Sequence, residues 1–388
     1  MPGNEEAIRG LLNAAAVRER AHEMLALALD GKVAGWTVDL DRLADATDLT
    51  AAVTRENYPD LAIPFHARAR HFVAGPPRLP EGDPAERGRA AFDLVILSVL
   101  LDAGTGPGWR FADPVSSGTY TRSEGLAVAS QRMAEAGELN DLVGLDADRL
   151  ARAFQVSDDN PLAGLEGRAA LLRRLGAQVT ARPDLFPGGR PGGLYDTLAA
   201  RAGSGALPAP AILEALLEAL GPIWADRLQI EGVDLGDCWR HPALRRDDAS
   251  DGLVPLHKLS QWLSYSLIEP LEESGITVTN VDGLTGLAEY RNGGLFVDLG
   301  VLVLTDPADA TRAHHVSDPL IVAWRAMTVA LLDRMAPLVR NRLGVDEAGF
   351  PLARMLEGGS WAAGRRIAAE LRPGGGPPFT IISDGTVF

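Results

Sequence analysis

Apolar residues recur at three- and four-residue intervals along most of this chain, a spacing that fits the 3.6-residue turn of an α-helix. AIRGLLNAAAVRERAHEMLALAL, LDADRLARAFQV, LEGRAALLRRLGAQV, PAPAILEALLEALGPIWADRL and DPLIVAWRAMTVALLDRMAPLVRNRLG all carry it. Gly- and Pro-rich stretches at 74–88, 104–118, 182–193, 206–210, 240–252 and 372–378 punctuate the pattern. Helix starts are signalled by Asp146 ahead of Leu150, by Pro210 ahead of Ile212, and by Ser317, Asp318 and Pro319 ahead of Trp324. Strand alternation is rare. The chain therefore reads as mostly α, with short strands expected at 275–281 and 379–382. The run 295–304 is apolar on both sides, so periodicity does not assign it.

Composition narrows the partners. The 388 residues hold 46% hydrophobic and 23% charged residues, the balance of an ordinary globular chain long enough for one large domain or two. Lys and Arg number 37 against 52 Asp and Glu, and the resulting charge of −15 repels a phosphate backbone, so no nucleic-acid partner is expected. A few local cations still suffice for one phosphate group. Cys238 is the single cysteine, which rules out an intrachain disulfide and a cysteine-based zinc site and fits a cytoplasmic location. The N-terminus has no signal-peptide pattern and the apolar run near 90–101 is interrupted by Asp93 and Ser98, so no membrane partner is expected.

Residues 255–300 mix Lys, Gln, Trp, Tyr, Glu and Arg among apolar residues more densely than a plain core or surface helix needs. Pro255 suits the first turn of a helix running to about Pro270, where a second proline ends or kinks it. Leu256, Leu259, Leu263, Leu267 and Leu271 share one face; Lys258, Trp262, Tyr265 and Glu269 share the other. That second face has two readings: a seam against a neighbouring helix, or a cavity wall with Lys258 as a fixed positive charge. Downstream, Glu289, Tyr290 and Arg291 lie between Gly286 and the pair Gly293 and Gly294, glycines that would let a ligand approach the carboxylate closely. The alternative for Glu289 is a buried salt bridge to Arg291 or Lys258.

Other patterns carry less. Gly104, Gly106 and Gly108 have the wrong spacing for a dinucleotide loop, and Pro107 and Trp109 stand where its helix would begin. Gly358 to Ala362 loosely match a nucleophile elbow, but no histidine follows His315 to complete a triad. The adjacent His314 and His315 point apart on any regular element, so with Asp318 they make a poor ligand set and no metal or cofactor is expected.

Four blocks together, LDAGTGPGWRF with YTRSEGLAVAS, HKLSQWLSYSLIEPL, LTGLAEYRNGGLFVDLGVL and GGPPFTIISDGTVF, resemble the uracil-catabolism protein 4 family over nearly the whole chain. More distantly, the same blocks resemble the queuosine salvage N-glycosidases, helical proteins akin to helix-hairpin-helix DNA glycosylases. The resemblance implies one family-wide catalytic domain over 1–388, built as two helical lobes of about 1–200 and 207–388 with the site between them. Where the salvage proteins have Tyr-Lys-Arg-Ala-Gln this chain has His257, Lys258, Leu259, Ser260 and Gln261; for Ala-Asp-Tyr-Arg it has Ala288, Glu289, Tyr290 and Arg291. The implied catalytic carboxylate is Glu289 and the implied lysine Lys258. Two departures stand out: Glu replaces Asp, and Gly293 and Gly294 replace a Pro-Gln pair.

That resemblance implies an N-ribosyl hydrolase acting on a ribosylurea-type intermediate, phosphorylated or not, to give urea and sugar. Two other readings are a non-catalytic ligand-binding or scaffold subunit and an N-glycosidase on an ordinary nucleotide. Cleavage of an N-glycosidic bond passes through an oxocarbenium-like state that a carboxylate stabilises or captures, while an acid helps the nitrogen leave. Glu289 is the candidate for the first role. Asp102, which otherwise reads as a helix-end residue, is a candidate for directing the leaving group or water, and His257 for the acid. Lys258, Arg291, Arg110 and Arg122 are the cations available to a 5′-phosphate. Trp109, Trp262 and Tyr120 are candidate covers for a ribose or planar urea group, and Glu124, Gln261 and Tyr290 complete the candidate binding set.

Overall fold

The computed structural model describes residues 3–106, 108–203 and 205–382. Pro107 and the last six residues of the GGPPFTIISDGTVF block lie outside the described residues. The fold is mostly α, and its strands are short and paired two by two. The described chain forms two compact units, each discontinuous in sequence: the residues up to His66 with Arg227–Gln261 and Val281–Ile382, and Ala67–Asp226 with Trp262–Asn280.

In the first unit the 25-residue helix Pro319–Leu343 is the core element, with Ile321 through Leu332 buried. It is wrapped by Ala14–Leu29 and Leu43–Asn57. Asn13 caps the former by accepting from the Ala16 N–H, which explains why the long apolar segment at the N-terminus divides into Asn4–Arg9 and Ala14–Leu29. Trp36–Val38 pairs antiparallel with Leu302–Leu304, and Ala313–His315 runs parallel to Thr380–Ile382. The ambiguous run 295–304 thus divides: it closes the helix Tyr290–Asp298, turns at Gly300 with φ of 75°, and continues as a strand. Leu352–Met355 leads into a π-helical turn, Leu356–Ser360, and then into Trp361–Leu371.

The second unit stacks the helices Pro84–Leu100, Arg122–Glu135, Leu165–Ala181, Leu194–Ala202 and Ala209–Leu220. Arg168 is fully buried and donates to the carbonyls of Leu101, Ala103 and Gly104, the loose end that follows Pro84–Leu100. Asp146 and Pro210 start helices as expected, and the expected strand at 275–281 is Thr277–Thr279, parallel to Ala206–Pro208.

The helix expected from Pro255 starts later and ends later. Pro255 closes a strand, Leu253–Pro255, paired antiparallel with Cys238–Arg240, and the helix runs Lys258–Glu273 with Pro270 inside it. A proline ring leaves position i−4 without its donor, yet burial of Leu267, Ile268 and Leu271 holds the turn in place. Asp237 sets the start: its backbone carbonyl accepts from Leu256 and His257, and its carboxylate accepts from the Lys258 N–H at 2.9 Å. Lys258 to Gln261 belong to the first unit and the rest of the helix, from Trp262, to the second.

Candidate active site

Glu289 is the N-cap of the helix Tyr290–Asp298. Its Oε2 accepts from the Arg291 N–H at 2.6 Å and its Oε1 from the Asn292 N–H at 2.5 Å. Both oxygens are therefore fixed by backbone, and the positive end of the helix faces a carboxylate. Burial nevertheless pushes its pKa above the ordinary carboxylate value, against the pull of those two N–H groups and of the nearby Lys258 and His66 charges.

A buried ion pair ties Lys258 to the segment of Glu289. Arg325 grips Asp237 with two 2.8 Å contacts, and the Arg325 Nε donates to the carbonyl of Ala288, the residue before Glu289. Asp237, which holds the start of the Lys258 helix, also accepts from Trp239 Nε1 at 2.7 Å. Its carboxyl is held far below the ordinary range because Arg325 and these donors outweigh the cost of desolvation. One guanidinium thus fixes the approach of two segments that the sequence separates by about thirty residues.

The π-helical turn adds a second acid–base pair. Glu357 Oε2 lies 2.7 Å from His66 Nδ1, and the Tyr58 hydroxyl donates to Glu357 Oε1 at 3.3 Å. Ser360 in the same turn donates to Asn292 Oδ1 at 2.8 Å, which docks the turn on the first residues of the Glu289 helix. The extra residue of a π turn needs room on its inner side; here Gly358 and Gly359 abut Ile63, Thr50 and Thr54 closely enough that no Cβ fits. His66, Glu357, Tyr58, Asp237 and Arg325, which the structure gathers around the two runs, were not singled out by the sequence. The only local signal was the glycine pair beside Glu357.

Other expected residues of the first unit are structural. His257 is buried in a left-handed turn with φ of 46°, its Nε2 3.1 Å from the Leu11 carbonyl, and burial lowers its pKa; this removes it as the acid. Gln261 accepts from the Thr285 N–H, while its buried Nε2 has no hydrogen-bond partner. The Arg291 guanidinium lies over the Tyr290 ring at 4.8 Å and donates to the Gly375 carbonyl at 2.7 Å, so only the backbone N–H of Arg291 bonds Glu289. The expected role of the glycines is also corrected: Cβ atoms at Gly286 and Gly293 would strike Leu332 and Trp324, so these glycines admit the core helix, not a ligand.

The remaining expected residues fall in the second unit. Asp102, just past the helix Pro84–Leu100, pairs with Arg68 at 3.0 Å and accepts from the Ser123 hydroxyl at 2.7 Å. Arg68 is fully buried, lies over Trp262 at 5.6 Å, bonds Ser98, and feels the charge of Glu124. Asp102, Trp262 and Glu124 are thus gathered around an arginine that sequence reasoning missed. Trp109 does not cover a ligand here: it is 1% exposed, packed on Phe154 and donating to its carbonyl at 3.0 Å. Arg110 and Arg122 are exposed on and after the Arg110–Ala112 and Thr119–Thr121 hairpin, and the Tyr120 hydroxyl lies 3.0 Å from Ser116 Oγ.

Among the described residues no three His, Cys, Asp or Glu side chains form a metal cluster, and no helix is long and apolar enough to cross a membrane. His314 and Asp318 are 3.6 Å apart, with His314 Nε2 on the Asp309 carbonyl.

Residues 10–388 match a family described as a protein of unknown function, DUF1688. The protein urg3 of Schizosaccharomyces pombe is 39% identical over 411 residues, covering 99% of both chains. Uracil catabolism protein 4 of Lachancea kluyveri is 37% identical over 412 residues, covering 92% of this chain and 93% of its own.

Proposed function

The chain belongs to the DUF1688 family, and from that premise we propose that it acts in uracil catabolism as an N-ribosyl hydrolase, releasing urea from a ribosylurea-type intermediate. The observation that carries the reading is Glu289: a buried carboxylate locked by two backbone donors, with an ammonium and an imidazole near enough to act on its charge. A group held this rigidly needs no reorganisation as positive charge develops on the sugar.

In this mechanism Glu289 captures the anomeric carbon as the C–N bond breaks, and the bonding pair leaves with the nitrogen. His66, oriented at Nδ1 by Glu357, protonates that nitrogen so that neutral urea departs. Water then attacks the glycosyl ester, and the neutral imidazole takes its proton, regenerating carboxylate and imidazolium. Lys258 pulls the Glu289 pKa down, opposing the larger upward push of burial.

Purified protein incubated with N-ribosylurea and its 5′-phosphate should release urea, and Glu289→Gln should lower kcat by about a thousandfold. Full activity in that variant would remove the mechanism; free uracil appearing from uridine monophosphate instead of urea would change the substrate. A second reading has one observation in its favour, because a purely structural N-cap shows the same two bonds. Saturable binding of ribosylurea without turnover would establish a ligand-binding subunit instead.

A further inference from the structure

The proposed chemistry draws on two elements of the first unit. Glu289 caps the helix Tyr290–Asp298, and Glu357, which orients His66, lies in the π-helical turn Leu356–Ser360. How those elements sit against each other decides whether an acid reaches the leaving nitrogen while the carboxylate meets the sugar. A side-chain bond crosses between them: the Ser360 hydroxyl donates to Asn292 Oδ1 at 2.8 Å. Ser360 stands three residues after Glu357 and Asn292 three after Glu289, so the bond lies within a turn of both carboxylates.

Asn292 is committed on every side. Its backbone N–H donates to Glu289 Oε1 at 2.5 Å and its Nδ2 to the Leu287 carbonyl at 3.4 Å, which turns Oδ1 towards Ser360. Both residues are buried, so water does not replace a lost partner. The stretch that ends at Ser360 also holds His66 twice. Glu357 takes the imidazole, and the Ala353 carbonyl accepts from the His66 N–H at 3.1 Å; the Trp361 ring follows at 6.2 Å from the imidazole. His66 therefore travels with this stretch, and Ser360 ties the stretch to the Glu289 helix. The π turn makes the tie. Its extra residue rotates whatever follows by about 100° from the α-helical register, so an unbroken α-helix through Glu357 would carry Ser360 away from Asn292.

We propose that Ser360 is a positioning residue: its bond to Asn292 sets the His66–Glu357 pair in register with Glu289. The catalytic consequence rests on the hydrolase reading, whereas the register itself does not.

Comparison of Ser360→Ala, Asn292→Ala and the double variant with the parent protein tests it. Each single variant should lower kcat for urea release about tenfold per folded molecule with KM unchanged, because a displaced acid costs rate rather than binding. The double variant should lose no more than either single one, since both remove the same tie. In protein carrying isotope-labelled histidine, Ser360→Ala should shift the His66 imidazole resonances, assigned by their disappearance in His66→Asn, and leave those of His241 in place. An undiminished kcat, losses that multiply in the double variant, or His66 resonances that stay put or move together with those of His241 would each overturn the proposal. A parent protein that releases no urea removes the hydrolase reading, and the His66 resonances then still decide whether Ser360 sets the pair.

Discussion

Glu289 has two tasks that a single side chain seldom combines: capping a helix and, in the proposed chemistry, meeting a cationic sugar. Its pKa is raised chiefly by burial, while Lys258 and His66 act in the opposite sense. Removing the lysine charge by Lys258→Met should move the carboxyl further up, so the acidic limb of the kcat/KM profile shifts to higher pH; an unmoved limb would detach Lys258 from Glu289. His66→Asn should cost about a hundredfold in kcat with KM unchanged, the usual scale for a positioned acid. A rate loss matched by an equal loss of folded stability would make His66 a packing residue. The lysine and the carboxylate could be singled out as candidates because each sits in a distinctive run of residues. His66 could not, since it meets Glu357 across 291 positions and nothing beside either residue announces the other.

Between elements, the close seam is the one joining the Glu289 helix to Trp361–Leu371. Gly364 lies against the Arg291 backbone so tightly that a Cβ would overlap the Arg291 carbonyl. Gly364→Ala should therefore push the two helices apart, costing about 1–3 kcal/mol of stability and reducing urea release as the cap geometry loosens. A variant as stable and active as the parent would show that the seam tolerates movement. Neither helix was announced by the periodicity, which left 295–304 unassigned and gave no helical reading for 361–371. It gave no warning that Pro255 would belong to a strand or that Pro270 would sit within a helix, because propensity is a local preference and tertiary burial of Leu267 and Leu271 outweighs it.

Across the whole molecule, acid should be the weak direction. Burial holds His241 down to about 4 from 6.5, so its contribution to stability is complete above pH 6.5 and is lost as the pH falls towards 4. Asp237 has a pKa lowered by Arg325, so its contribution is present above about 3.8 and lost below that. Denaturant midpoints should fall in that order on acidification, and His241→Gln should flatten the upper part of the decline; a native midpoint constant from pH 7 to 4 would contradict it. Asp237→Asn, which strands the Arg325 charge, should cost about 3–5 kcal/mol at neutral pH, measured by the same denaturation curves.

The amino-acid sequence by itself determined the helical class, the helix starts at Asp146, Pro210 and Asp318, and the two distinctive runs carrying Lys258 and Glu289, since periodicity, capping residues and punctuation are read over a few neighbours. Only the tertiary structure decided what surrounds them: that Arg325 and Asp237 bind the two runs, that His66 is held by Glu357, and that Trp109, His257 and the glycines near Glu289 serve packing. Those are contacts between residues tens to hundreds of positions apart, set by burial and charge pairing in three dimensions, for which linear spacing carries no record.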